Sequence, residues 1–230
     1  MKKTALAMSF ATMVTLPAAV GAQGFGVGAR AGTLGFGVEG AAGLSDHVAV
    51  RAGVGLWTVN IDATGFWEPG TGVSASLKLP KTWYNVGVDL YPTSGDFRVG
   101  GGMLYKPDNP TVVATADPTA SVEIGGTTYT GADVGEVEGA LVSKKSAPYV
   151  LLGFGRHTRK GIGLFLDLGV AFLGEPSVEL KATRGNDAVI NSAEFQNALR
   201  QESANLESDL PTWAKKYWFI ASVGIKLGLG

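Results

Sequence analysis

Cysteine is absent from all 230 residues, so neither a disulfide nor a cysteine-linked lipid can hold the chain in shape or on a membrane. Histidine occurs twice, at His47 and His157, too few with no cysteine to assemble a metal centre, and both read as structural or solvated. No run after the N-terminal segment reaches the roughly 18 to 20 uninterrupted apolar residues that a membrane-spanning helix needs. Charge is scarce as well: Asp, Glu, Lys and Arg make up 17% of the chain, where about a quarter is usual for a soluble domain. A net charge of −1 offers no basic footprint for nucleic acid. With hydrophobic residues at 45%, some apolar surface must face outward.

What the chain does have begins with an export pattern. Lys2 and Lys3 precede an apolar run from Ala5 to Leu16, and Val20-Gly21-Ala22 offers a small-residue cleavage site before Gln23. Residues 1–22 are therefore expected to be a signal peptide, leaving 23–230 as one domain. Within that domain a two-residue period returns repeatedly. Ile162, Leu164, Leu166, Leu168, Val170 and Phe172 form one stripe, and Tyr217, Phe219, Ala221, Val223, Ile225, Leu227 and Leu229 another. Such stripes are strands with one apolar face.

The phase of the alternation changes in places. Phe25, Val27, Ala29 and Ala31 are odd, whereas Leu34, Phe36 and Val38 are even, so a bulge or turn must fall near Gly32-Thr33. A second flip lies near Pro80, between Val73–Leu79 and Tyr84–Leu90, and proline is confined to edges, ends or bulges of sheets. A plain count gives seven long strands. Splitting the first at Gly32-Thr33 gives eight, which suits the even numbers of bacterial barrels. Short connections near residues 45, 94 and 159 alternate with long ones at about 62–70, 107–135 and 182–215. Within the long ones, Gly125-Gly126 centres a loop hairpin at about 119–131. Asn191 with Glu194 begins a loop helix at about 191–210, which Pro211 ends.

Ten charged residues share the face opposite the apolar stripes: Arg30, Glu39, Arg51, Lys78, Asp89, Arg98, Lys106, Asp167, Glu179 and Lys181. In an eight-stranded barrel, just wide enough for side chains to fill, mixed charges are expected to pair across the lumen and close it. Asp167→Asn, on that face, is expected to cost less than Leu166→Arg on the other. Trp57, Trp67, Trp83, Tyr84, Tyr105, Trp213, Tyr217 and Trp218 fall near strand ends, as interfacial aromatic girdles do. Gly35 to Gly40 matches G-x-G-x-x-G, but no helix follows it, so no dinucleotide or other cofactor is expected.

The signal segment, the alternating stripes, the run Gly32-Thr33-Leu34-Gly35-Phe36-Gly37 and the strand entry Ala147-Pro148-Tyr149 resemble small outer-membrane β-barrel proteins of the OmpA, OmpX and OmpW-like superfamily. The resemblance implies an all-β fold: an antiparallel up-and-down transmembrane barrel of eight strands in the outer membrane of a Gram-negative bacterium. It implies contact with outer-membrane lipids and insertion by the barrel-assembly machinery. The expected function is structural or surface-interacting, without catalysis. Two alternatives stay open: a narrow channel for a small solute, and a soluble periplasmic, lipocalin-like ligand-binding barrel.

Overall fold

The computed structural model describes residues 24–57, 60–64, 72–211 and 216–230. The signal segment, Trp67 and Trp213 lie outside these residues. In chain order the elements are β1 (Phe25–Gly32), β2 (Phe36–Gly43), β3 (Val48–Leu56), β4 (Asn60–Asp62), β5 (Val73–Lys78), β6 (Thr82–Leu90), β7 (Phe97–Tyr105) and β8 (Thr111–Ala116). The hairpin β9 (Ser121–Ile124) and β10 (Thr127–Thr130) follows, with α1 (Gly131–Val134), β11 (Glu136–Val142), β12 (Ser146–Phe154), β13 (Gly161–Phe172) and β14 (Ser177–Arg184) after it. The chain closes with α2 (Asp187–Ile190), α3 (Ala193–Asp209) and β15 (Tyr217–Gly228).

Eight of these strands close into a barrel in the order β1-β2-β3-β6-β7-β12-β13-β15, with β15 returning to β1. Each neighbour pair is antiparallel, and the order follows the sequence, so the barrel is an up-and-down meander. The phase flip at Gly32-Thr33 is the turn between β1 and β2, which supplies the eighth strand. Period two sets the two surfaces. Along β13, Ile162, Leu164, Leu166 and Leu168 are exposed on the outer wall, whereas Phe165, Asp167 and Ala171 are buried inside. Similar exposed apolar rows run down the other barrel strands, for example Tyr84, Val86, Val88 and Leu90 on β6. An apolar surface this extensive on one chain marks contact with something other than water.

Five of the remaining strands form a second sheet in the order β14-β11-β8-β5-β4. That order mirrors the barrel order β13-β12-β7-β6-β3, since each of the five adjoins one of those strands in sequence. Five neighbouring barrel strands thus continue past one rim as a separate sheet. Lys78, Glu179 and Lys181, expected in the lumen, belong to β5 and β14 of this sheet. Alternation is present on both sides of Pro80 and Pro176, and the pattern alone does not mark that the chain passes there from one sheet to the other. That rim, opposite the termini, is the loop end of the barrel; the turns at 44–47, 91–96 and 155–160 lie at the terminal end.

The hairpin turns at Gly125 and Gly126, whose positive φ of 57° and 80° suit a two-residue turn that only glycine adopts freely. The N-cap of α3 is Ser192 rather than Asn191: its hydroxyl accepts from the Phe195 N–H at 3.2 Å. Asn191 instead ends α2. Helix α3 buries Phe195, Ala198 and Leu199 against Ile124, Val134 and the apolar face of the second sheet. Its Glu207 accepts from the Val178 N–H at 3.3 Å, and the Ser203 hydroxyl bonds the Val178 carbonyl, so the helix covers the edge of β14.

Candidate functional site

Inside the barrel the side chains form two layers. The layer toward the terminal end is ionic. Arg51 on β3 reaches three carboxylates: Nη1 lies 2.8 Å from Asp167 Oδ2 and 3.4 Å from Glu39 Oε2, and Nε lies 3.1 Å from Asp89 Oδ2. Arg98 on β7 joins Asp89 and Asp167 again, at 2.8 and 2.6 Å. Arg30 on β1 donates to Glu39 at 3.4 Å and to the Asn85 side-chain oxygen at 2.8 Å. Three guanidiniums therefore meet three carboxylates from six strands, and all six side chains are buried. At such burial each charge is tolerated only while its partners remain.

Glycines make the room for this layer. A Cβ on Gly153 would stand 2.7 Å from both Arg98 Nε and Asp167 Oδ1, and one on Gly100 would stand 2.5 Å from Asp89 Oδ1. Gly153→Val is expected to displace the Arg98–Asp167 pair and lower stability by about 1–3 kcal/mol. Urea unfolding of the reconstituted barrel checks this, and a midpoint equal to the parent's would contradict it.

The layer toward the loop end is apolar. Leu34, Trp83, Leu104, Tyr149, Leu151, Leu173 and Ile220 pack together there, with Trp57 and Trp218 against them. Trp83 and Trp218 stack at 4.9 Å between ring centroids. These two were expected in an outer girdle, as was Trp57, but they point inward; their neighbours Tyr84 and Tyr217 point outward. An outer girdle does form at this rim, where Tyr84 meets Tyr105 at 6.1 Å and Phe172 meets Tyr217 at 5.7 Å. Phe25, Phe97 and Phe154 are exposed near the opposite rim. The void where the two layers meet, walled by Arg30, Arg51, Tyr149 and Asp167 among others, measures about 10 Å³. That is about the space of one water-sized probe, far short of a continuous file.

The terminal end is closed by the turn after β12. His157 is fully buried, with its Nε2 against a Glu39 carboxylate oxygen and its ring packed on Phe165 at 4.5 Å between centroids. Lys226 on β15 donates to the carbonyls of Arg159 and Gly161. His157, Lys226, Asn85 and Tyr149, none of them among the ten charged residues expected in the lumen, are also buried inside the barrel. His47 stays exposed, with its Nε2 2.9 Å from Ser94 Oγ.

Of the ten charged residues expected in the lumen, Arg30, Glu39, Arg51, Asp89, Arg98 and Asp167 are brought together as described. Lys106 lies just past β7; its ammonium donates to Asn109 Oδ1 at 2.6 Å, and burial pushes its pKa down. Lys78, Glu179 and Lys181 lie on the polar face of the second sheet, Lys181 opposite Glu138. Among the described residues no cluster of three or more His, Asp or Glu side chains could hold a metal ion.

No family model matches the chain, and no curated protein matches it in sequence. Solved structures do match it in shape. The barrel is shared with Acinetobacter baumannii CarO. That structure superposes with a TM-score of 0.56 at 18% identity, over 88% of this chain and 96% of CarO. Acinetobacter baumannii CarO2 gives a TM-score of 0.58 at 19% identity, over 89% of this chain and 98% of its own. At such low identity the likeness to CarO and CarO2 speaks for the fold alone.

Proposed function

We propose that this protein is an outer-membrane β-barrel of Gram-negative type, non-conducting and non-catalytic, with a structural or surface-interacting role. The observation that carries the reading is the division of the barrel wall, with aliphatic rows outward and an ion-paired interior. Hydrocarbon leaves backbone groups unsatisfied unless strands close on themselves, and this barrel is closed. Barrel strands of eight to twelve residues bracket the length that crosses a bilayer when tilted. Outer-membrane lipids then contact the wall, and the barrel-assembly machinery inserts it. The export pattern of residues 1–22 and the CarO-like fold support the same location.

A soluble lipocalin-like barrel needs the reverse arrangement, an apolar interior under a polar coat. A solute channel needs a continuous path, and both lumen layers stand across it. The surface role falls to the five-stranded sheet, the hairpin and α3, an outward orientation that the short-turn and long-loop asymmetry supports.

Conductance tests the reading. Purified protein in planar bilayers is expected to give no stable ohmic steps under conditions where a porin control conducts. Reproducible unitary steps would overturn the closed lumen. Recovery of the mature chain in the soluble periplasmic fraction, with no heat-dependent gel mobility, would overturn the membrane location.

A further inference from the structure

The second sheet turns an apolar face toward α3 and the hairpin without filling the space between them. Two cavities, about 200 Å³ and about 380 Å³, open along that face and share Val112, Gly139, Leu180 and Leu206 as walls. The space exists because the facing positions are small. Ala75 lies beside Ala114 across one strand pair and Val137 beside Ala114 across the next, and Gly139 carries no side chain opposite Leu180.

We infer that this space is a binding site for a small apolar molecule carrying a cationic group. The floor and sides are aliphatic, and among the described residues no Lys or Arg lines either cavity. Water held there finds few polar partners, whereas hydrocarbon gains dispersion contacts with every wall. The charged groups in the lining are carboxylates: Glu123 and Glu202 at one cavity, Asp209 at the other. Glu202 Oε2 accepts from the Gly125 N–H at 3.1 Å, which fixes the side chain, and among the described residues its Oε1 has no donor. Glu123 likewise has no cationic partner among the described residues. An ammonium at the mouth therefore meets uncompensated negative charge, and the same charge turns away anionic amphiphiles. The site deepens the surface-interaction reading, yet it belongs to the sheet and helix and does not depend on lumen closure or lipid contact.

The test uses the whole protein in lipid nanodiscs and three probes of one shape: cyclohexylmethylamine, cyclohexylmethanol and cyclohexanecarboxylate. Saturation-transfer NMR titrations are expected to show saturable binding, with the amine at least about tenfold tighter than the carboxylate. Ala114→Trp fills the space from the sheet and should abolish saturable binding. Leu206→Trp does so from the helix, which keeps the test open should the first variant fail to fold. The double variant Glu123→Gln, Glu202→Gln should erase most of the amine preference while leaving cyclohexylmethanol binding unchanged. Absence of saturable binding, equal binding by a folded tryptophan variant, or equal affinity for amine and carboxylate would each overturn the assignment. Those outcomes leave conductance and fractionation unaffected, so they are distinguishable from failure of the membrane reading.

Discussion

Replacing Arg51 by Met is expected to cost about 3–5 kcal/mol of barrel stability, because a buried charge cluster that loses one member leaves its partners unpaired. Arg51 is the shared cation of Glu39, Asp89 and Asp167, which come from three different strands. Without it, Asp89 and Asp167 must both lean on Arg98, and Glu39 keeps Arg30 at 3.4 Å and His157. Three carboxylates would then share two guanidiniums in a space with no room for solvation. Arg159→Met provides the contrast. Its pair with Asp96, at 2.9 Å, sits at the terminal-end surface with about half of the Arg159 side chain exposed, so a change within about 1 kcal/mol is expected. Urea titrations of both variants in the same lipid check the difference. Equal midpoints for the two would contradict a buried network that holds the wall together.

The second large effect concerns the outer wall. Leu166 stands midway along β13, between Val223 of β15 and Phe154 of β12, and faces outward. Leu166→Arg should cost about 2–4 kcal/mol if lipid surrounds it, whereas Ile162→Arg, near the terminal-end rim, should cost only about 0–1 kcal/mol. The gradient distinguishes a bilayer from water, since a solvated surface would accept both equally. Asp167 changes its standing beside Leu166. The sequence pattern makes Asp167→Asn a mild substitution, but Asp167 receives Arg98 at 2.6 Å and Arg51 at 2.8 Å. An amide there removes one charge from a balanced cluster of three cations and three anions, so a loss comparable to that of Leu166→Arg is expected.

The strands and their faces are readable from residue order because one-sided burial imposes a period of two. That logic separates Asp167 from Leu166 and locates the eighth strand at the Gly32-Thr33 flip. It also marks Trp83 and Trp218 as inward beside the outward Tyr84 and Tyr217, a distinction that their position near strand ends obscures. Lys226, between Ile225 and Leu227, carries the same inward signal. What alternation does not encode is which sheet a strand joins. Val73, Ala75 and Leu77 look like wall residues, yet they cover the second sheet under α3, and Lys78 follows them there. His157 carries no inward signal for another reason: it lies in a turn, where periodicity stops, and its burial follows from the turn folding across the barrel mouth. Pairing partners such as Arg51 with Asp167, 116 residues apart, depend on barrel closure and have no local trace.

The absence of cysteine makes single-cysteine spin labelling clean, and it offers the most direct measurement of orientation. Nitroxides placed in turn at residues 162, 164, 166, 168 and 172 of β13, in reconstituted bilayers, report collision with oxygen, which concentrates in lipid, and with a nickel chelate, which stays in water. The oxygen-to-nickel ratio is expected to peak at 164–168 and to fall toward 162 and 172. A ratio that is flat and water-like along the row, or labels immobilised and shielded from both reagents, would contradict a barrel whose aliphatic rows face lipid.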